Sequence, residues 1–243
     1  MNRRIDRREA LAMIGTVSLS GLLAACGADG DETATVTTRE GRTATVEPRT
    51  GASDEMVALL DRSHSCALSP QETEGPYYLD VDSIRRDVRD GRPGMPLRLG
   101  VRVRDAQTCK PVEDAVVEIW HCDALGVYSG FESGSGKTFL RGGQVTNSQG
   151  IAELLTIYPG WYQGRTVHIH TKVHLDNRTL LTSQLYFDED VTAAIYERAP
   201  YASRGGRDTF NSDDGIFDEE LVLNLAQQGD RYLGAMNLDV ASA

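Results

Sequence analysis

The chain has 243 residues, and 25 lysines and arginines against 36 aspartates and glutamates give it a formal net charge of −11. A hydrophobic fraction of 40% is large enough for a packed core and excludes a wholly disordered chain. The acidic balance argues against nucleic acid as a partner, because phosphate backbones are bound by basic surfaces. Four cysteines are too few for a disulfide-rich scaffold. The length favours one or two domains, and a single all-β domain of this size is ordinary.

Residues 1–25 have the features of an export signal. Arg7 and Arg8 precede an apolar run that ends at Ala25, which is typical of a twin-arginine signal peptide. The run is too short to span a bilayer comfortably. Leu23-Ala24-Ala25-Cys26 then resembles a lipobox, the site at which bacterial signal peptidase cuts before a lipidated cysteine. The sequence therefore predicts a lipoprotein that Cys26 anchors to the membrane, on the extracytoplasmic side of a bacterial cell.

The remainder is predicted to divide into a tether and one compact domain. Residues 26–62 are rich in threonine and poor in large apolar side chains, which predicts a flexible tether. The tether ends in a short helix over Asp54–Arg62, for which Ser53 is the predicted N-cap. Residues 63–243 are predicted to form the compact domain.

Most of this domain is predicted to be β-strand. Apolar and polar residues alternate from Leu97 to Arg104, which indicates a strand with one buried face. Val116–His121 predicts a second strand, and the turn at Asp105–Pro111 suggests that 97–121 is a hairpin. Asp190 is predicted to cap a short helix that Pro200 stops. The other predicted strands are Ile151–Ile157, Arg165–Leu175, Leu180–Phe187 and a closing hairpin of Leu221–Leu225 and Tyr232–Val240. Short strands and few helices favour an all-β fold, an antiparallel β-sandwich or barrel with short helices.

Two histidines on one predicted strand are candidate metal ligands. His168 and His170 lie two residues apart, so their side chains share one face with their Cα atoms about 6.6 Å apart. Two neutral imidazoles on one face can bind one metal ion. A zinc site needs a third ligand, for which His121 is available. Tyr128 and Tyr162 are alternative partners, because phenolates are anionic oxygen donors that suit a trivalent ion.

Five segments, in this order, resemble the intradiol ring-cleavage dioxygenases, the family that cleaves catechol and protocatechuate. They are Thr73–Tyr78 (TEGPYY), Cys109–Tyr128 with its run AVVEIWHCDALGVY, Pro159–Tyr162 (PGWY), Arg165–His170 (RTVHIH) and Gln184–Phe187 (QLYF). Together they cover roughly residues 66–190, and the predicted closing hairpin looks similar too.

The resemblance implies a non-haem Fe³⁺ held by four residues, Tyr128, Tyr162, His168 and His170. It implies that Tyr162 is the phenolate that leaves when substrate binds. It also implies that Arg165 and Gln184 lie beside the substrate ring. The implied reaction is cleavage of a catechol-type ring by O₂ between the two hydroxylated carbons, which gives a muconate-type diacid.

Two tyrosine assignments have alternatives. The interval from Tyr162 to His168 is shorter than in the soluble members of the family, so Tyr158 is the alternative second phenolate. Tyr77 and Tyr78 follow a Gly-Pro turn and are predicted to line the substrate pocket, although the same pattern is also an ordinary entry into a strand.

The cysteines and the substrate also leave alternatives. A bridge between Cys109 and Cys122 is opposed by a separation of roughly 25 Å along the predicted strand, whereas Cys66 can pair with either, or all three can stay reduced.

Catechol, protocatechuate, hydroxyquinol and lignin-derived diols are equally compatible with the sequence, and no oligomeric state is predicted. Two other functions compete, an exported β-sandwich binding module with a decayed site and a zinc-dependent hydrolase or lyase.

Overall fold

The architecture is taken from a computed structural model, which describes residues 34–37, 43–46, 51–62, 66–79, 83–176 and 178–241. The predicted signal peptide and Cys26 lie outside the described residues. In chain order the elements are β1 (Ala34–Thr37), β2 (Thr43–Val46), α1 (Asp54–Leu60), β3 (Pro96–Asp105), β4 (Val116–Trp120), β5 (Arg141–Val145), β6 (Ile151–Ile157), β7 (His168–Leu175), β8 (Arg178–Tyr186), α2 (Glu189–Tyr196), β9 (Asn224–Gln228) and β10 (Arg231–Val240). No helix in these ranges combines the length and apolar character that crossing a membrane requires.

Two four-stranded sheets form the domain, with strand orders β6-β3-β10-β9 and β5-β4-β7-β8. All strand pairs within them are antiparallel except β3 with β10. Alternate residues of each inner strand are fully buried in one core, including Leu99 and Val101 of β3 and Val117 and Ile119 of β4. The predicted all-β sandwich is therefore confirmed.

The predicted hairpin over 97–121 is wrong. β3 pairs with β6 and β10, whereas β4 pairs with β5 and β7 in the other sheet. The connection between them turns through left-handed backbone at Cys109 (φ 59°) and Asp114 (φ 65°) and crosses from one layer to the other. Alternation of apolar residues shows that a strand has a buried face. Because both layers of a sandwich bury a face against the same core, alternation does not show which layer a strand belongs to.

The short helix α1 packs on the outer face of the β3 sheet. Ser53 caps it as predicted, because its Oγ accepts a hydrogen bond from the Met56 backbone N–H at 3.3 Å. Met56 lies directly over Gly100, where a Cβ atom would be 2.3 Å from the Met56 sulfur. The range predicted as a tether thus contains a helix that packs on the domain, and β1 and β2, which pair with each other.

The remaining elements agree with the sequence in type but differ at their ends. β6 has the predicted bounds, and β9 and β10 form the predicted closing hairpin. The N-cap of α2 is Asp188 rather than Asp190, because the Asp188 carboxylate accepts the Asp190 and Val191 N–H groups at 3.0 Å. β5, which reads RGGQV, was not predicted because it has no apolar alternation.

An extended segment, residues 66–79, lies against both sheets and leads into the site. A disulfide joins Cys66 to Cys109, which decides between the alternative pairings, and Cys122 is a buried free thiol. The Ser69 N–H donates to the Asp239 carbonyl of β10 at 2.9 Å, and the Glu72 N–H donates to a carbonyl of β8 at 2.8 Å. The segment therefore brings residues 73–79 to the face of β7 that carries the two histidines.

Candidate metal centre

The pleat of β7 places His168 and His170 on one face, and both side chains are buried. Their Nε2 atoms are 3.1 Å apart. The Nδ1–H of His168 donates to the Thr166 carbonyl at 2.7 Å, which leaves a lone pair on Nε2. The two rings therefore converge through the nitrogens that can bind a metal ion.

Two tyrosines from separate loops lie near the histidines: Tyr162 contacts His168 directly, and Tyr128 contacts Tyr162. The Tyr162 hydroxyl is 3.1 Å from His168 Nε2, and the rings of Tyr162 and Tyr128 meet edge to face with centroids 5.6 Å apart. Tyr158 lies elsewhere, in the core, where its hydroxyl bonds to Thr192 Oγ1 at 2.6 Å. The structure thus brings Tyr128 and Tyr162, but not Tyr158, to the histidine pair.

The chemistry of these donors fits a ferric ion. The buried Tyr128 hydroxyl interacts with that of Tyr162 and has no other hydrogen-bond partner among the described residues, an arrangement that is costly unless another group satisfies it. Burial lowers the pKa of His168 to about 3 and holds that of His170 well below its ordinary value, so both imidazoles are neutral. Burial also raises the pKa of Tyr162 to about 12 and that of Tyr128 well above 10. A cation of high charge strongly favours the loss of these protons, because metals depress the pKa of a bound ligand.

His121 does not supply a third nitrogen for zinc. Its Nδ1 contacts the Cys122 carbonyl at 2.8 Å and its Nε2 contacts Thr156 Oγ1 at 2.7 Å, so both ring nitrogens are occupied. Across the described ranges, no three His, Cys, Asp or Glu side chains cluster as metal ligands. The donor set at the β7 face therefore depends on the tyrosines.

Two residues pack closely against the ring of His170. Trp120 of β4 stacks on it with centroids 5.0 Å apart and planes 4° apart. A Cβ atom at Gly75 would be 3.2 Å from His170 Cε1, and Gly75 has a φ of +66°, so the position favours glycine on both counts. Trp120 is buried in the domain, and its ring orients a candidate ligand.

Tyr77 and Tyr78, both predicted to line the substrate pocket, contact different side chains. The Tyr77 ring stacks on Tyr128 with centroids 4.3 Å apart and meets Tyr162 edge-on at 5.8 Å. With Phe131, these rings form a group that we call the aromatic cluster. Tyr78 packs edge-on against Trp120 at 4.9 Å, and the Lys172 ammonium lies 3.6 Å from its ring centroid. Tyr77 therefore contacts two candidate metal ligands directly, whereas Tyr78 packs on Trp120, which in turn stacks on His170.

Arg165 and Gln184 lie beside the candidate metal ligands and form a hydrogen bond with each other. Arg165 Nη2 donates to Gln184 Oε1 at 2.7 Å, and Arg165 Nε donates to Asp214 Oδ2 at 2.8 Å. The same Asp214 oxygen accepts the Thr166 backbone N–H at 2.9 Å, and Gln184 Nε2 donates to the Thr73 carbonyl at 3.3 Å. Asp214 was missed by sequence reasoning, because it lies 49 residues from Arg165 in a loop without periodicity.

Comparisons with known proteins identify relatives of this chain. A family model described as a dioxygenase matches residues 73–204, which is more than half of the chain and contains all four candidate ligands. The chlorocatechol 1,2-dioxygenase of Pseudomonas putida is 30% identical over 139 residues, which cover 47% of this chain and 52% of that protein. The protocatechuate 3,4-dioxygenase beta chain of Burkholderia cepacia is 32% identical over 171 residues, which cover 63% of this chain and 72% of that one.

A similar solved structure is an intradiol ring-cleavage dioxygenase from Tetranychus urticae. It superposes with a TM-score of 0.70 at 34% identity, covering 73% of this chain and 96% of that chain. By contrast, the match with the chlorocatechol dioxygenase spans about half of that relative's length.

Proposed function

Because the chain belongs to the intradiol ring-cleavage dioxygenase family, we propose that it cleaves a catechol-type diol between its two hydroxylated carbons. Both atoms of O₂ enter the product, a muconate-type diacid. The cofactor of this proposal is one non-haem Fe³⁺ held by Tyr128, Tyr162, His168 and His170. The observation that carries it is the convergence of donors, since His168 Nε2 is 3.1 Å from both Tyr162 Oη and His170 Nε2.

Tyr162 is the phenol that substrate can reach. It is partly exposed, whereas Tyr128 is buried at 4% exposure. When bound, a ferric ion would hold both diol oxygens as anions and make the ring reactive toward O₂. The phenolate oxygen of Tyr162 accepts the proton that a substrate hydroxyl releases. Burial raises the pKa of Tyr162 to about 12 in the metal-free protein, which favours the protonated form of a tyrosine that has left the metal.

Arg165 supplies the positive charge of the site. Its guanidinium lowers the pKa of Tyr162, opposing the larger effect of burial, so its charge reaches the candidate ligands. Asp214 and Gln184 fix its orientation, which means that no reorganisation is needed when negative charge develops on the substrate ring. Gln184, held in turn by the Thr73 carbonyl, orients the substrate by hydrogen bonding.

The aromatic side chains around the donors favour a planar, apolar substrate. Tyr77 meets Phe131 edge-on at 5.2 Å and stacks on Tyr128, so aromatic faces and edges surround the site. Edge-to-face contacts of this kind suit a catechol ring. The relatives act on catechols with different substituents, and the substituent preferred here is a matter for a substrate panel.

The visible spectrum of the purified, iron-loaded chain tests this function. We expect a broad phenolate-to-iron charge-transfer band near the middle of the visible range, and a shift to longer wavelength on anaerobic addition of catechol. With isotopically labelled O₂, both labelled atoms should then appear in the diacid. A chain that stays colourless after reconstitution with Fe³⁺ contradicts the proposal, and metal analysis then distinguishes a zinc enzyme from a binding module.

We further propose that the chain is exported and anchored to the membrane through a lipid on Cys26. The twin-arginine pattern and the L-A-A-C motif support this location. The disulfide between Cys66 and Cys109 also supports it, because such bonds persist in oxidising compartments. Cell fractionation of wild type and Cys26→Ser is the test. Loss of membrane association in the variant is expected, and equal distribution of both proteins contradicts the anchor.

A further inference from the structure

Arg141, the first residue of β5, is a buried cation beside a candidate ligand. It is 1% exposed, and its guanidinium carbon lies 5.8 Å from the ring centroid of Tyr128 and 5.6 Å from that of Phe131. Nε donates to the Ser129 carbonyl at 3.1 Å and to Ser129 Oγ at 2.9 Å, and Nη2 donates to the same carbonyl at 2.8 Å. Nη1 is buried without a hydrogen-bond partner in the described part of the chain.

A guanidinium in such surroundings needs an anion, because burying an uncompensated charge is unfavourable. Within the described ranges Arg141 forms no ion pair with a carboxylate. The buried Glu118 of the adjacent strand contacts Tyr78 and His174, each at 3.4 Å, and its charge attracts the Arg141 guanidinium from beyond ion-pair distance. Other arginines of the domain do have carboxylate partners, namely Arg92 with Asp123, Arg104 with Asp239 and Arg165 with Asp214.

We propose that Arg141 is a positioning residue of the metal centre, and that its guanidinium is the counter-charge of the Tyr128 phenolate. This inference rests on the proposed function, in which Tyr128 binds Fe³⁺. The guanidinium lies over the ring that would carry the negative charge, and its hydrogen bonds hold the backbone at Ser129, the next residue. Arg141 therefore fixes both the charge and the position of the phenolate, and retention of iron depends on it.

Three full-length variants separate charge from hydrogen bonding. Arg141→Met removes the charge and the donors, Arg141→Lys keeps the charge without the planar fork, and Ser129→Ala keeps the charge but removes one acceptor. Each protein is loaded with Fe³⁺. The affinity for iron is measured by competition with a chelator, the charge-transfer band is recorded, and Tm is measured with and without iron.

For Arg141→Met we expect a loss of iron affinity of about 10–100-fold, the range found when groups that orient metal ligands are removed. We also expect its band to move to longer wavelength, because a phenolate without its counter-charge is the better electron donor. The rise in Tm on iron loading should be smaller than in the wild type. Arg141→Lys should keep its band near the wild-type position, and Ser129→Ala should leave both the band and the affinity almost unchanged.

An Arg141→Met protein with wild-type affinity and band position overturns the inference. So does a variant whose metal-free Tm falls while its band stays in place, since a purely structural residue predicts that result. If Arg141→Met does not fold, Arg141→Gln, uncharged but able to donate to Ser129, takes its place with the same expectations. A wild-type chain without any band contradicts the proposed function itself, which distinguishes the two failures.

Discussion

In the candidate metal centre, the chemistry of each functional side chain depends on a neighbouring residue that contacts it. The Thr166 carbonyl selects the tautomer of His168, Trp120 fixes the ring plane of His170, and Asp214 holds Arg165. Each partner is itself buried, so water does not compete for these contacts. Substitutions at this scale should therefore separate binding of the metal from folding of the sandwich.

A pair of phenylalanine variants distinguishes Tyr162 from Tyr158 as the second phenolate ligand. Tyr162→Phe removes a hydroxyl 3.1 Å from His168 and should weaken the charge-transfer band, leaving the Tyr128 part, at nearly unchanged Tm. Tyr158→Phe removes the hydrogen bond to Thr192 and should cost about 1 kcal/mol of stability while the band persists. Visible spectra and thermal unfolding of both proteins give the answer, and the opposite pattern would assign the second phenolate to Tyr158.

Asp214 should control activity through Arg165 rather than through the metal. Asp214→Asn weakens the charge-assisted hydrogen bond at 2.8 Å, so turnover of catechol should fall about 10–100-fold while the iron band is retained. Asp213→Asn is the matched control, because the Asp213 carboxylate is exposed and its hydrogen bond is to Ser212 at 3.4 Å. Equal activities of the two variants would contradict this role.

At the scale of elements, the site forms where β7, two loops and an extended segment meet. β7 presents two ligands by its pleat alone, but Tyr77 and Gly75 reach the site only because segment 66–79 is held against both sheets. The disulfide between Cys66 and Cys109 holds the start of that segment. Local stability of this segment should therefore determine how well the aromatic cluster is ordered.

Removing this disulfide should destabilise the domain by about 2–5 kcal/mol, since it closes a loop of 43 residues. The double variant Cys66→Ser/Cys109→Ser should have a lower Tm than wild type and no response to reductant. Cys122→Ser is the control, because the buried Cys122 thiol takes no part in the bridge and this protein should respond to reductant as wild type does. A wild-type Tm that reductant leaves unchanged would refute the stabilising role.

At the scale of the whole molecule, buried neutral histidines make the fold sensitive to acid. Burial lowers the pKa of His121 to about 4, so between pH 6.5 and 4 the unfolded chain binds a proton that the folded chain does not. The contribution of His121 to stability is therefore full above pH 6.5 and is lost as the pH falls toward 4. His168, with a pKa of about 3, adds to the loss in the metal-free protein.

Urea unfolding of the metal-free protein between neutral pH and about pH 4 checks this expectation. His121 alone should lower the free energy of unfolding by about 3 kcal/mol over that range. Glu72 acts in the opposite sense, because burial raises its pKa to about 7 and the folded chain then binds the extra proton as the pH falls. His121→Gln should flatten the pH profile and Glu72→Gln should steepen it, and parallel profiles for all three proteins would contradict the assignment.

The sequence by itself determined most strands of the two large sheets, the histidine pair and the family. Alternation with a period of two is a local property, and it was enough to predict β3, β6 and the shared face of His168 and His170. The motifs that carry the family resemblance are contiguous runs of residues, so they can be read without knowing how the chain folds. The short helix and its Ser53 cap were predictable for the same reason.

The tertiary structure alone decided which distant residues meet. It separated β3 and β4 into different sheets, paired Cys66 with Cys109, and brought Tyr162 rather than Tyr158 to the histidines. It also revealed Asp214 and Arg141, whose contacts with Arg165 and Tyr128 cross between separate elements. Local periodicity carries no information about such pairs, because their distance is set by how the layers pack and where the loops cross.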